Sequence, residues 1–369
     1  MSSMPMRLLA RLDAAIAAAP DPFDADCLRV ERACYLVRQG HYEPATTELD
    51  AIRGKYDARP SPSISAWLSL ADGLMSHFSE VGGAARDKMR RAHALSAAGR
   101  LMPLHALSSA WLSHMDYNRY DFESMLRHMS EALQIAHADH HAARSRANLV
   151  AAMALHFAGR LDLAQPWYAR ARAHANAESD DATVSAIMFD MASLRATNLR
   201  QATLSSPGGS VAEGEHALMG TDSSIHFDQM VGAASLAPLL PNLRAQVLAL
   251  QGEPAQALAL YEVHLSAARG ISRMRSCMLS DQAWCRMQVG QVEAARADAL
   301  EAEASLGDDT QIDDTAATHS RLAQVFAALD DAPTAQRHKI LAAQAWQDFR
   351  ALQARIVVML SRVGANGPL

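Results

Sequence analysis

Ala151–Ala171 reads AAMALHFAGRLDLAQPWYARA, and the fold can be read outward from this stretch. Small residues recur at Ala152, Ala164 and Ala171, larger apolar ones at Leu155, Leu161 and Tyr168, and Gly159 interrupts the run. Apolar residues three and four apart on both sides of a glycine predict two short helices, because neighbours at that spacing share one helix face. Glycine accepts the left-handed backbone that ends a helix, so the second helix can turn back on the first. Alanine at the crossing lets the two axes approach to about 8–10 Å.

The pattern returns along the chain. Arg32–Leu49 (RACYLVRQGHYEPATTEL) carries Ala33, Leu36, Gly40, Tyr42 and Ala45 in the same places. Ala245–His264 keeps Ala245, Leu248, Gly252, Ala257 and Tyr261, and Gln282–Ala302 keeps Ala283, Gly290, Val292, Ala295 and Ala302. Leu322–Ala342 has Ala323, Phe326, Ala335 and Ala342, with Asp330 where the turn glycine stood. The spacing places turns near residues 40, 80, 120, 159, 200, 252, 290 and 330, the copies near Trp67–Leu95 and Leu107–Leu133 being located by spacing as much as by motif. Pro44, Pro254 and Pro333 fall just after turns, in the first turn of a second helix, where the missing N–H costs no hydrogen bond. One step is long and spans Ser205–Gly214 (SSPGGSVAEG), which is expected to be a loop insertion covering about 201–224.

These residues resemble the tetratricopeptide-repeat family, whose motif sets small residues where two antiparallel helices touch. The resemblance implies an all-α, right-handed α-solenoid of about eight helix–turn–helix repeats over residues 1–344. A closing helix, Ala345–Val363, and a tail would occupy 345–369. The regular step of about 40 residues is similar to the longer-helix variety found in bacterial regulators. In such arrays the first helix of each repeat lines a concave groove, and members that bind peptides use it. Carried onto this sequence, the groove residues are His77, His114, Arg146, Met153, His156, Asp190, Asn242, Gln246, Trp284 and Gln324. No repeat pairs Lys with Asn on its first helix, so the clamp of the chaperone-tail-binding branch is not expected. The resemblance implies a protein- or peptide-binding scaffold. The alternative it leaves is a ligand-sensing domain of a bacterial signalling system, taking a small molecule.

Composition narrows the remaining classes. A net charge of −6 gives no overall pull towards nucleic acid or an anionic membrane. No apolar run approaches the roughly 18 residues of a membrane span, and the N-terminus has no signal-peptide pattern, so a cytoplasmic protein is expected. Cys27, Cys34, Cys277 and Cys285 sit at core-face spacing without a CxxC motif and read as buried free thiols. His137, His140 and His141 cluster beside Asp139 but fall between helix pairs, where polar residues belong, so neither a metal nor a cofactor is expected. No nucleophile elbow, zincin motif or phosphate loop is present, and an enzyme is not expected. Arg86, Lys88, Arg90 and Arg91 read as a solvated helix face, and the Asp180-Asp181 and Asp313-Asp314 pairs as helix N-caps.

Overall fold

A computed structural model describes residues 7–79, 84–205, 211–268, 272–308 and 310–365. Among these residues there are seventeen helices and no strand. Helix α1 (Arg7–Ala18) stands first, and eight antiparallel pairs follow. The first four are α2 (Pro22–Gln39) with α3 (Tyr42–Tyr56), α4 (Pro62–Ser79) with α5 (Ala84–Ala98), α6 (Met102–Asn118) with α7 (Phe122–Ile135), and α8 (His141–Phe157) with α9 (Leu161–Glu178). Then come α10 (Asp181–Ser205) with α11 (Val211–Val231) and α12 (Leu240–Leu250) with α13 (Pro254–Ala268). The array ends with α14 (Ser272–Gln288) and α15 (Val292–Ala304), then α16 (Ile312–Ala328) and α17 (Ala332–Ala365). The eight-repeat α-solenoid expected from the spacing is the fold.

The turns within repeats are built alike. Gly40, Gly159, Gly252 and Gly290 take φ of 85°, 73°, 81° and 83°, and Tyr120 and Asp330 take 58° and 59° in the equivalent places. The next residue then bonds back to the carbonyl five before it: His41 N to Leu36 O at 2.9 Å, Arg160 N to Leu155 O at 2.9 Å, Asp331 N to Phe326 O at 2.9 Å. This closure satisfies carbonyls the helix end would leave bare. Tyr120 holds a backbone conformation that disfavours side chains, and its hydroxyl is fixed by donating to Asp313 Oδ1 at 2.6 Å. The expected turn near residue 80 lies outside the described residues.

Beneath each turn lies one recurrent contact. Ala33 and Ala45, Ala152 and Ala164, Ala245 and Ala257, and Ala283 and Ala295 are each twelve residues apart and fully buried where the paired helices cross. The same spacing exposes what the degenerate repeats substitute. Gly73 and Ala85 occupy it in α4 and α5, and a Cβ at Gly73 would sit 3.2 Å from Met89 N and 3.3 Å from Ala85 O. Ser113 and Met125 occupy it in α6 and α7, where the buried Ser113 hydroxyl donates to Met125 O at 3.0 Å.

The long fifth repeat departs from expectation. No turn occurs near residue 200, because α10 runs unbroken from Asp181 to Ser205 and buries Arg200 in its interior. The expected loop over 201–224 is helical at 201–205 and 211–224, while 206–210 lie outside the described residues. Two glycines within the expected loop, Gly214 and Gly220, serve close packing instead. Gly220 lies against Ala192, and a Cβ at Gly214 would meet Gln251 Cγ at 2.8 Å. Ala192, Ala196, Leu199 and Ala217 bury a core between α10 and α11 with Leu243 and Val247 of α12. The expected boundary at 344/345 falls within α17, a single 34-residue helix. Its C-terminal half returns onto earlier repeats, setting Phe349 edge-on to Phe157 (centroids 5.1 Å apart) and donating from Gln353 Nε2 to Phe157 O at 2.8 Å.

The crossing contact gives a test with an internal control. Gly54 lies on the exposed side of α3 with open space around its Cα. Gly54→Ala is expected to stabilise the protein by about 0.5–1 kcal/mol through helix propensity. Gly73→Ala is expected to forfeit that gain to the contacts with α5, and Gly73→Leu to destabilise by about 1–3 kcal/mol. Denaturant unfolding of the three variants measures this. Equal gains at both glycines would show that α4 and α5 do not cross closely.

Candidate functional site

First helices build the inner wall, and among the described residues cavities open on it at two places. The larger, about 150 Å³, is lined by Tyr117 and Asn118 of α6, Met153 and Phe157 of α8, Phe189, Asp190 and Arg200 of α10, Gln246 of α12, Met274 of α14, and Asp313 and Asp314 of α16. The smaller, about 40 Å³, lies between α2, α4, α6 and α8 and is lined by Glu31, Arg38, Trp67, Trp111, Arg146, Glu178 and Asp180. Leu8 and Leu12 of α1 form one side of it. Helix α1 is held there by Arg7 to Asp181 Oδ1 at 2.6 Å and by Arg11 to the carbonyl of Glu178 at 2.7 Å.

Most charges on this wall are paired. Arg200 donates to Asp314 Oδ1 at 2.7 Å, to Asp313 Oδ2 at 3.1 Å and to Cys277 Sγ at 2.7 Å. Arg38 donates to Asp180 Oδ2 at 2.7 Å, and Asp180 caps α10 by accepting from Thr183 N at 3.0 Å. The Asp180 cap is thus as expected, whereas Asp313 and Asp314 are buried partners of Arg200 rather than solvated caps. Arg86, read as solvated, pairs with the buried Asp116 at 2.6 Å.

Three charges that line the cavities, Glu31, Arg146 and Asp190, make no ion pair among the described residues. Arg146 is 5% exposed, and its guanidinium lies 4.0 Å over the Trp111 ring. Among the described residues it makes no ion pair and its guanidinium no hydrogen bond. Burial, followed by the neighbouring Arg38, pushes its pKa down to about 10. Asp190 faces the larger cavity without a hydrogen bond or ion pair among the described residues. Burial pushes its carboxyl up to about 7, with the charge of Arg146 acting in the opposite sense. Partial removal from water without a partner is unfavourable for an ion, so a partner for Arg146 or Asp190 would be favoured here.

The sequence-derived groove residues divide into three groups. Arg146, Met153, Asp190 and Gln246 line the cavities, and His77 and His114 join Trp111 in a ring cluster beside the smaller one, their centroids 5.4 Å apart. His156 and Asn242 serve packing within their own repeats. His156 Nδ1 meets the Tyr168 hydroxyl at 3.1 Å, burial pushing the imidazole down to about 4, and Asn242 donates to Pro238 O and His264 O. Trp284 and Gln324 form a separate cluster around Arg321, which lies 5.4 Å over the indole and donates to Gln324 Oε1 at 3.0 Å. Both lie outside the two cavities. Sequence reasoning missed Trp111, Phe189, Arg200, Asp313 and Asp314. Trp111 stands three residues before His114 on the same face of α6, a signal that was available.

No protein-family model matches the chain, and no curated protein matches it. Solved structures do, among them the Rap conjugation gene regulator of the plasmid pLS20 in complex with the Phr* peptide. That match covers 99% of this chain and 98% of that one, with a TM-score of 0.52 and 13% identity. At this identity the likeness is one of fold.

The unpaired carboxylate makes a pH-dependent prediction. Asp190 has a folded-state pKa of about 7 against an ordinary value of 3.8, so the protein loses stability as pH rises through that interval. Asp190→Asn keeps the shape and removes the charge. It is expected to unfold like the wild type near pH 4 and to be more stable at pH 8, by roughly 1–2 kcal/mol once solvent screening is allowed for. Urea unfolding at the two pH values reads this directly. A variant less stable at pH 8 would mean that the carboxylate is paired.

Proposed function

We propose that this chain is a non-catalytic, cytoplasmic peptide-binding protein of the tetratricopeptide-like regulator type, and that the peptide lies along the inner wall. The observation that carries the reading is the unpaired state of the buried Arg146 and the half-buried Asp190, charges of opposite sign on adjacent first helices. A peptide is a ligand that can present a carboxylate and a cationic side chain to such a wall at once. The solved Rap regulator, alike in fold, is itself in complex with a peptide, which supports the reading.

The cavities restrict the peptide's chemistry. A void of about 150 Å³ accommodates one benzene-sized group, so the larger cavity takes a side chain and not a whole peptide. Its wall offers Tyr117, Tyr120, Phe157 and Phe189 around the Asp190 carboxylate. Aromatic faces beside a carboxylate suit a lysine or arginine, whose charge pairs with Asp190 while its stem lies on the rings. Arg146, placed over the Trp111 ring, suits a carboxylate. Among the described residues no helix is long and apolar enough to cross a membrane, which is consistent with a cytoplasmic partner.

Short synthetic peptides carrying a basic side chain and a free carboxylate, with charge-reversed controls, can be titrated against the full chain by fluorescence anisotropy. A subset is expected to bind, and Arg146→Gln and Asp190→Asn each to weaken it by more than about tenfold without lowering Tm. Unchanged affinity in both variants, or no binding across the series, overturns the reading.

A further inference from the structure

Away from both cavities, three side chains from three helices converge on one point. His93 of α5, His105 of α6 and Glu131 of α7 are half-buried, and their ligand atoms all lie within 4.8 Å of one another. His93 Nε2 is 3.1 Å from His105 Nε2 and 3.0 Å from Glu131 Oε2, while His105 Nε2 is 3.2 Å from Glu131 Oε1.

With Glu131 ionised, protons do not satisfy every side of this triangle. Each Nε2 carries either one hydrogen or one lone pair. If both nitrogens donate to the carboxylate, they bring two N–H groups against each other at 3.1 Å. If one donates to the other, the acceptor turns a lone pair on the Glu131 carboxylate. Only a neutral Glu131 acid, donating to one Nε2, would satisfy all three contacts by protons. A cation at the centre accepts all three lone pairs together. Ligand bonds of about 2.0–2.1 Å at tetrahedral angles would separate the donor atoms by about 3.3 Å, a few tenths beyond their present spacing.

We infer that His93, His105 and Glu131 form a binding site for a divalent transition metal of the zinc class, with a fourth position open to water. Two imidazoles and a carboxylate are the donor set such ions prefer over magnesium or calcium, which take oxygen. Support from the surrounding shell is already present. The Ser109 hydroxyl donates to Glu131 Oε2 at 3.0 Å, fixing the carboxylate as outer-shell partners fix metal ligands. The other histidine pairs lack this set. His141 and His174, and His319 and His338, meet through Nδ1 atoms at 3.0 Å, and among the described residues neither pair forms such a three-ligand group. The site ties α5 of the second repeat to α6 and α7 of the third, so metal would lock the relative setting of two repeats.

The full chain, freed of metal by chelation, is titrated with Zn²⁺ by calorimetry and with Co²⁺ by visible absorption, which reports tetrahedral nitrogen–oxygen ligation. One equivalent is expected to bind, raising Tm in proportion to the logarithm of free metal. Glu131→Gln and His105→Ala are expected to weaken binding at least tenfold, with metal-free Tm unchanged or raised because the frustrated contact is relieved. The control His141→Ala/His319→Ala is expected to bind as the wild type does. Absence of a saturable equivalent, equal affinity in His93→Ala/His105→Ala, or loss in the control overturns the site. A metal-free Tm lowered by Glu131→Gln, without metal binding in the wild type, assigns the triangle to ordinary hydrogen bonding.

Discussion

Everything in this array depends on how closely two helices may cross seven residues before each turn and five after it. At Ala33/Ala45, Ala152/Ala164, Ala245/Ala257 and Ala283/Ala295 the crossing atoms are methyl groups with no exposed surface. A larger side chain there would push the axes apart and tilt each repeat against its neighbour. Once the crossing is fixed, the 100° turn per residue fixes every other direction on the helix. Ala152 must face α9, so Arg146 and Met153 can face inward, and the inner wall is a geometric consequence of the alanines.

A second constraint sets how the array winds back on itself. Arg200, from the fifth repeat, reaches Asp313 and Asp314 at the start of the eighth, and Tyr120, at the turn of the third, donates to the same Asp313. Burial and the adjacent Asp314 hold the Asp313 carboxyl above the usual carboxylate range. Such a network adds little net stability over an apolar substitute, but a missing partner would leave a bare buried charge. It therefore discriminates: only a winding that brings these three repeats together satisfies it.

This division explains what was legible in the sequence. Turns and crossings are local, repeat at a near-constant step and depend on residue size, so they could be read even where Tyr120 and Asp330 replace glycine. The fifth repeat misled because glycine has two uses. Gly214 and Gly220 lie on a helix and permit close approach, whereas the composition around them signals a loop. Of the site, Arg146, Met153, Asp190 and Gln246 were reachable by counting along first helices. Arg200 with its aspartates, and the His93–His105–Glu131 triangle, were not, since each assembles from separate helices with no spacing in common.

The contrast between Arg146 and Arg200 bears most directly on function. Both lie on first helices of adjacent repeats and both are 5% exposed, so the cost of taking either guanidinium out of water is similar. Arg200 recovers that cost from two carboxylates within hydrogen-bond reach, although its Nε keeps no partner. Arg146 has only the face of Trp111, which attracts a cation but offers no acceptor in the guanidinium plane. A structural role would be met as well by an apolar side chain at that position, without the desolvation cost. What distinguishes the two residues is where their partners lie: Arg200 finds carboxylates within the chain, and Arg146 has no ion pair among the described residues, which is why the proposed peptide is placed against it.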